Sequence, residues 1–247
     1  MAEFDPTWSP DGTRIAFVRD TRFEDAIGNT VYTVKVEGSD MKLVVGYFPR
    51  ALDPDWGPAP VNDAPTVRVA AATSCGTNDR SGTINLTVND PDGQTQTEGL
   101  KLSATSSNTR LVPASNVTFG GSGASRTLTA TALSGRTGAA TLTVTVSDGT
   151  ATATVAITVK VDGSGSKTTN GTAGADMIFG KTGADVLNGF GSIDLLCGAE
   201  GDDTLNGAEG ADTMTGGLGA DRFRGGKGTD TATDFNAAQG DTKVGIP

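Results

Sequence analysis

The sequence predicts an all-β protein built from several thin β domains. Gly accounts for 35 of the 247 residues and aromatic residues for only 5%, so large side chains to fill one big core are scarce. Residues 141–146 alternate threonine with aliphatic residues, which is the period of a half-buried strand. In the last third of the chain, glycine and aspartate recur every nine residues, a period that suits neither a helix nor a simple strand.

The charge and the residue types exclude several classes of function. The formal net charge is -10 and the pI is about 4.4, which disfavours nucleic acid and anionic membranes and favours cations as partners. Histidine is absent, which removes the commonest general base and the usual zinc ligand. No apolar run approaches the ~18 residues of a membrane span. We therefore expect a protein that is not an enzyme, has no membrane span and binds no nucleic acid.

Residues 1–60 predict a series of short strands separated by turns. The stretch WSPDGTRIAFV, starting at Trp8, reads as a turn feeding a strand, and EGSD at 37–40 reads as another turn. Residues 53–58 repeat the start of this pattern, and Trp8 and Trp56 lie 48 residues apart. The stretch resembles the blade of a TolB-like β-propeller. The resemblance implies a partial blade, because one blade cannot close a ring.

Residues 61–162 predict a β-sandwich. Roughly seven short strands are separated by turns such as NDPDG at 89–93 and SDG at 147–149. The opening NDAP at 62–65 and these turns resemble bacterial Ig-like or cadherin-like modules. The sandwich is then a candidate surface for a cell-surface or protein partner.

Two features of the sandwich each leave two interpretations open. Asn62, Asp63, Asp90 and Asp92 are either a cadherin-style calcium site at a domain junction or ordinary turn residues, and turn chemistry is the preferred interpretation. The two cysteines, Cys75 and Cys197, are either joined in a disulfide or remain separate thiols.

Residues 163–170 begin with GSGSK and predict a flexible linker. Residues 171–233 then form seven consecutive nonapeptide units, and residues 234–247 follow as a C-terminal cap or tail. We number the positions of each unit 1 to 9. Position 1 is always glycine, position 4 is glycine except at Ser192, and position 8 is apolar. Position 6 is always aspartate: Asp176, Asp185, Asp194, Asp203, Asp212, Asp221 and Asp230.

This pattern predicts a coil with stacked turns. We expect the glycines at positions 1 and 4 to permit a tight turn with positive φ, and positions 7 to 9 to form a short strand whose position 8 points inward. Two units make one coil, so each turn stacks on the turn two units later and brings two aspartates together. Paired carboxylates with backbone carbonyls suit a hard cation, above all calcium.

The units resemble the RTX (haemolysin-type) nonapeptide GGxGxDxUx, whose repeats form a parallel β-roll. The resemblance implies that calcium lies between turns two units apart, which gives five pairs from seven units. The earlier turn would supply its aspartate and the carbonyls of positions 2 and 4, and the later turn its aspartate and the carbonyls of positions 1 and 3. The carbonyl ligands implied are those of Thr172, Gly174, Lys181, Gly183, Gly189, Phe190, Gly191, Ser192, Gly198, Ala199, Glu200, Gly201, Gly207, Ala208, Glu209, Gly210, Gly216, Leu218, Gly225 and Lys227.

The functional expectation is a calcium-binding structural or binding module of a secreted or cell-surface protein, in which calcium folds the β-roll after export. The alternative is the C-terminal accessory region of a secreted enzyme or adhesin whose active domain lies upstream. The start of the chain resembles no export signal, from which we expect a piece of a longer protein.

Overall fold

The computed structural model describes residues 3–9, 11–23, 26–48, 62–76, 80–91 and 99–247. In these ranges the protein is all-β, as the sequence predicts, with one 3-10 turn at Ala114–Asn116. No helix in the described part of the chain is long and apolar enough to cross a membrane. The chain divides into two compact units, Met1–Val61 and Asn62–Pro247.

The first unit is a four-stranded antiparallel sheet with its strands in sequence order. Ala16, Phe17 and Val18 are buried, and the Phe17 ring stacks on Tyr32 with 6.0 Å between centroids. The second copy of the tryptophan motif, at 53–58, lies outside the described residues, and the propeller blade remains a prediction. The strands are β1 (Glu3–Trp8), β2 (Arg14–Phe23), β3 (Ala26–Lys35) and β4 (Lys42–Phe48).

The second unit begins with a β-sandwich. One of its sheets has the order β5-β6-β9-β8, and β7, β10 and β11 pair antiparallel in the other. Burial alternates along β6, because every second side chain faces the opposite sheet. The strands are β5 (Thr66–Cys75), β6 (Ser81–Asn89), β7 (Lys101–Ser106), β8 (Val117–Ser122), β9 (Ser125–Thr131), β10 (Gly138–Ser147) and β11 (Thr152–Val161).

The remaining chain winds into a parallel β-solenoid, in which strands two units apart pair and consecutive strands lie on opposite sheets. Position 8 supplies the core between the sheets: Ile178, Leu187, Leu196, Leu205, Met214 and Phe223 are all 0% exposed. The strands are β12 (Thr168–Thr172), β13 (Asp176–Phe179), β14 (Val186–Gly191), β15 (Leu195–Glu200), β16 (Thr204–Glu209), β17 (Thr213–Leu218), β18 (Arg222–Lys227), β19 (Thr231–Ala232) and β20 (Thr242–Val244).

The sandwich and the roll share one sheet. Strand β11 pairs in parallel with β13, placing Val159 opposite Met177, and this produces a seven-stranded sheet in the order β19-β17-β15-β13-β11-β10-β7. The other sandwich sheet packs over both halves, so Phe179 and Leu195 of the roll lie in one core cluster with Leu142 and Ile157 of the sandwich. Gly82 on β6 admits these side chains, since an added Cβ would lie 2.5 Å from Leu195 Cδ2.

The linker that the sequence predicts at 163–170 is instead the first half-coil of the roll. Gly165 N–H donates to Thr182 O at 2.7 Å, and Val186 N–H donates to Lys167 O at 2.7 Å. Strand β12 begins at Thr168 and pairs in parallel with β14. The solenoid's own hydrogen bonds therefore connect this segment to the next coil.

A disulfide joins Cys75, at the end of β5, to Cys197 on β15, with 6.0 Å between the Cα atoms. Cys197 occupies position 9 and points out of the roll toward the sandwich sheet. The bridge spans 122 residues of sequence, so it restricts the unfolded chain strongly. Of the two interpretations that the sequence left open, the structure shows the bridge.

Because the core is shared, we expect a destabilising substitution in the roll to destabilise the sandwich as well. Leu195→Ala should destabilise the protein by about 2–5 kcal/mol and accelerate amide exchange in β6, because it leaves a cavity in the joint core. Leu205→Ala removes an equally buried leucine from the roll's separate core and serves as the control. Exchange would be measured by mass spectrometry in saturating calcium. Equal exchange in β6 for the two variants would contradict the shared core.

Candidate metal centre

The position-6 aspartates form two buried columns, one on each side of the roll. All seven are at most 3% exposed. In each predicted pair, the backbone N–H of the earlier aspartate donates to Oδ1 of the aspartate eighteen residues later. The donor–acceptor distances are 2.8 Å for Asp176 to Asp194, 2.7 Å for Asp185 to Asp203, 2.9 Å for Asp194 to Asp212, 2.9 Å for Asp203 to Asp221 and 3.0 Å for Asp212 to Asp230.

The second oxygen of most of these carboxylates has no partner. Oδ2 of Asp194, Asp203, Asp212 and Asp230 is buried and accepts no hydrogen bond. Each of these atoms lies beside the position-1 glycine of its own unit. For Asp194, Asp203 and Asp212, the position-1 carbonyl of the unit two later points to the same place. At Gly198, for example, an added Cβ would overlap Asp203 Oδ2 and lie 2.6 Å from Gly216 O. A buried anionic oxygen next to a carbonyl is costly unless a cation sits between them.

The other turn carbonyls point in consistent directions. Position-2 and position-4 carbonyls point toward the later turn, since a Cβ at Gly217 would overlap Ala199 O and one at Gly219 would overlap Gly201 O. Position-3 carbonyls point back, because Leu218 O accepts from Gly201 N–H at 2.7 Å and Lys227 O accepts from Gly210 N–H at 2.8 Å. Carbonyls from both turns therefore face the space between them, although those at position 3 also make hydrogen bonds.

The conformational role of glycine differs from the sequence-based expectation. Positive φ occurs at positions 2 and 4, not at positions 1 and 4: Ala208 has φ 80° and Gly210 has φ 143°, whereas no position-1 glycine has positive φ. Position 1 needs glycine for a different reason, since any Cβ there would collide with the aspartate Oδ2. The atypical unit 189–197 keeps the common turn, with φ 79° at Phe190 and 76° at Ser192.

The first two units depart from this geometry. Neither Thr172 nor Lys181, at position 2, has positive φ. In both turns the protein itself satisfies the second carboxylate oxygen. Asp176 Oδ2 accepts from Thr172 N–H at 2.6 Å, and Asp185 Oδ2 accepts from Lys181 N–H at 3.1 Å. Asp176 still keeps one unpaired oxygen, because its Oδ1 is buried without a hydrogen bond.

Burial opposes ionisation of these carboxylates. Desolvation, with a smaller contribution from the neighbouring carboxylates of the column, raises the pKa of Asp194 to about 8 and that of Asp203 to about 7. Desolvation likewise raises the pKa of Asp212 to about 6. Near neutral pH these raised pKa values oppose full ionisation of the column. A bound cation would lower the pKa values and so favour the ionised carboxylates.

Sequence reasoning missed three charged residues at the ends of the columns. Lys167 takes the aspartate position of a degenerate unit at 162–170, and its N–H donates to Asp185 Oδ1 at 2.8 Å. Asp241 is 8% exposed and accepts from Asp221 N–H at 2.9 Å. Asp234 accepts from the N–H groups of Gly216 and Gly217 at 2.9 and 2.7 Å. At the first end, the available sequence signal was Asn170, which stands at position 9 of the degenerate unit as Asn188 does in its own unit. In the structure, the Asn188 side chain donates a hydrogen bond to the Asn170 side chain. At the other end, a two-residue insertion shifts Asp241 out of the nine-residue period, so the period does not identify it.

In the sandwich, the geometry around Asn62 is that of a turn. Asn62 Nδ2 donates to Asp148 Oδ2 at 3.0 Å, and Asp148 Oδ1 accepts from the N–H groups of Thr150 and Ala151, as in a turn. Asp92 lies outside the described residues. No three acidic, cysteine or histidine side chains converge anywhere in the part of the chain that the structure describes. In the roll, therefore, a metal would need carbonyl ligands besides two aspartates.

The positive φ at position 2 predicts a stabilising substitution. Ala208→Gly should raise the free energy of unfolding by about 1 kcal/mol, because alanine at φ 80° is strained and glycine is not. Ala211→Gly, at an ordinary φ in the same turn, should lower the stability or leave it unchanged. Denaturant titration in saturating calcium measures both. Stabilisation by Ala211→Gly, or none by Ala208→Gly, would contradict the argument.

The raised pKa values predict that the cation-free roll folds best in acid. A carboxyl whose pKa is higher in the folded state adds stability below its unfolded pKa of ~3.9, and this is lost as pH rises through the folded value. In chelator, β structure measured by circular dichroism should therefore decline between about pH 6 and 8. In calcium, the decline should disappear, since the ionised form binds the cation. A flat profile in chelator would contradict this expectation.

Comparison with known families agrees with this architecture. The family described as RTX calcium-binding nonapeptide repeat (4 copies) matches residues 170–205 and 198–232, and the bacterial Ig domain family matches residues 62–160. Both are structural rather than enzymatic families. Neither match includes residues before 62, and no curated protein or solved structure matches the chain. RTX nonapeptide repeats bind Ca²⁺, so calcium is the cation that these repeats take.

Proposed function

We propose that this chain is a calcium-folded structural and binding module of a secreted or cell-surface protein, without catalytic activity of its own. The observation that carries the proposal is the set of four buried carboxylate oxygens without hydrogen bonds, Oδ2 of Asp194, Asp203, Asp212 and Asp230. Calcium supplies the positive charge that these oxygens lack and accepts several oxygen ligands at once.

The proposed ligands are the five aspartate pairs, together with the turn carbonyls at positions 2 and 4 of the earlier turn and positions 1 and 3 of the later turn. In this arrangement each interior aspartate serves two neighbouring sites. Asp203, for example, faces Asp185 on one side through Oδ1 and Gly216 O on the other through Oδ2. Binding at one site therefore orders a turn that also belongs to the next site.

Calcium concentration would act as the folding signal. Residues 171–247 contain twelve acidic and five basic residues, and the roll's own core has one side chain per strand. Without a cation, charge repulsion opposes this thin core. Extracellular calcium-binding modules typically have Kd values on the order of 10⁻⁴ to 10⁻³ M, so such a roll would stay unfolded in the cytosol and fold after export.

Calcium binding to the roll would also stabilise the sandwich. Its sheet β5-β6-β9-β8 covers β13 and β15 of the roll as well as its own partner strands. Thr213 Oγ1 donates to Ala72 O at 3.0 Å, which links β17 to β5. Calcium that orders the roll therefore also completes the core under the sandwich and stabilises the surface offered to a partner.

A calcium titration tests the function. In chelator at about pH 8, where the raised pKa values no longer favour the folded roll, circular dichroism should show little β structure from it, and millimolar calcium should restore it. Asp203→Asn should bind about two fewer calcium ions per chain by titration calorimetry, because Asp203 serves two sites. Glu37→Gln removes one exposed negative charge outside the roll and serves as the control. Identical spectra in chelator and calcium, with no heat of binding, would refute the proposed function.

A further inference from the structure

The segment after the last nonapeptide continues the coil. Strand β20 pairs in parallel with β18, with Thr242 opposite Arg222, so the register is twenty residues instead of eighteen. Thr242 N–H donates to Asp221 O at 2.8 Å, as Arg222 N–H donates to Asp203 O at 2.7 Å one coil earlier. Residues 234–247 therefore form a further coil with a longer turn.

This coil places a carbonyl over the last repeat turn. Gly245 O would lie 2.5 Å from a Cβ added at Gly225, and the same Cβ would overlap Asp230 Oδ2. Two oxygens thus converge at Gly225. They repeat the arrangement at Gly207, where Asp212 Oδ2 meets Gly225 O, and at Gly198, where Asp203 Oδ2 meets Gly216 O. In the earlier turns the carbonyl comes from a repeat glycine, whereas here it comes from outside the repeats.

No group of the described protein neutralises the oxygen at this end. Asp230 is 3% exposed, and its Oδ2 is buried without a hydrogen bond. The nearest basic residue in sequence beyond it, Lys243, is turned elsewhere: its Nζ donates to Pro247 O at 2.7 Å and lies 5.3 Å from the Phe235 ring centroid. An anionic oxygen that is buried, unpaired and next to a carbonyl requires a cation from solution.

We propose that a sixth calcium site lies between the turn of residues 225–230 and Gly245, with Asp230 Oδ2 and Gly245 O among its ligands. The site rests on the proposed calcium-binding function of the roll, but none of the five repeat pairs includes it. Asp230 then belongs to two sites, one through Oδ1 toward Asp212 and one through Oδ2 toward Gly245. The C-terminal coil acts as a calcium-bound cap on this column.

The test is the number of calcium ions bound by the full chain, counted by native mass spectrometry and titration calorimetry with calcium chloride. Gly225→Ala places a methyl group between Asp230 Oδ2 and Gly245 O, and should bind at least one calcium ion fewer than the wild type. Gly163→Ala is the matched control, because its Cβ would meet nothing closer than Lys167 Cε at 3.8 Å. It should bind the wild-type number.

Deletion of residues 245–247 provides a second variant in case Gly225→Ala does not fold. It removes Gly245 O and leaves every repeat unit intact, so one ion should again be lost. A wild-type count in the deletion variant, or in folded Gly225→Ala, would overturn the sixth site and leave the repeat sites standing. No calcium binding by the wild type would instead refute the proposed function itself.

Discussion

The uncompensated carboxylate column is the constraint on which the rest of the roll depends. From Asp194 onward, each repeat aspartate uses one oxygen to accept the N–H of the aspartate eighteen residues earlier, which locks the turns into register. In four of them, Asp194, Asp203, Asp212 and Asp230, the other oxygen is left buried beside a carbonyl without a hydrogen bond. Backbone hydrogen bonds therefore align the turns but cannot neutralise the charge of the buried carboxylates. Under the proposed function, a divalent cation supplies the neutralising charge, and the stability of the stack then depends on that cation.

The turn backbone is adapted to this column. Position 1 excludes a side chain because the aspartate oxygen already fills that space, whereas positions 2 and 4 carry the positive φ that turns successive carbonyls in opposite directions. Phe190, Ser192, Ala199 and Ala208 adopt the same φ without being glycine. Such strain persists only where the surrounding structure compensates for it. The inter-turn hydrogen bonds, and the cation that we infer, provide that compensation.

The junction with the sandwich covers one sheet edge of the roll and gives the two parts a common core. A solenoid normally needs a cap at each end, because its terminal sheet edges expose unpaired N–H and C=O groups. Here β11 of the sandwich pairs with β13 and covers one edge, while the opposite sandwich sheet buries the outward faces of Phe179 and Leu195. The disulfide between Cys75 and Cys197 reinforces the same junction. Within residues 62–247, the roll thus contributes part of the core that lies under the sandwich.

Sequence alone determined the solenoid, its two-unit stacking and its cation class. The aspartate, glycine and apolar columns repeat at fixed positions, and local geometry converts such a period directly into turns and strands. It could not reveal the shared core, because Met177, Phe179 and Leu195 at positions 7 and 9 acquire their burial only from strands distant in sequence. Pairing of Cys75 with Cys197 was decided in the same way, by the packing of β5 against β15.

The extra coils at 162–170 and 234–247 also escaped detection, since Lys167 replaces the aspartate in one and two inserted residues displace Asp241 in the other. Only the tertiary structure places these residues in the ladder, because register in a parallel sheet is fixed by the neighbouring coil rather than by local sequence.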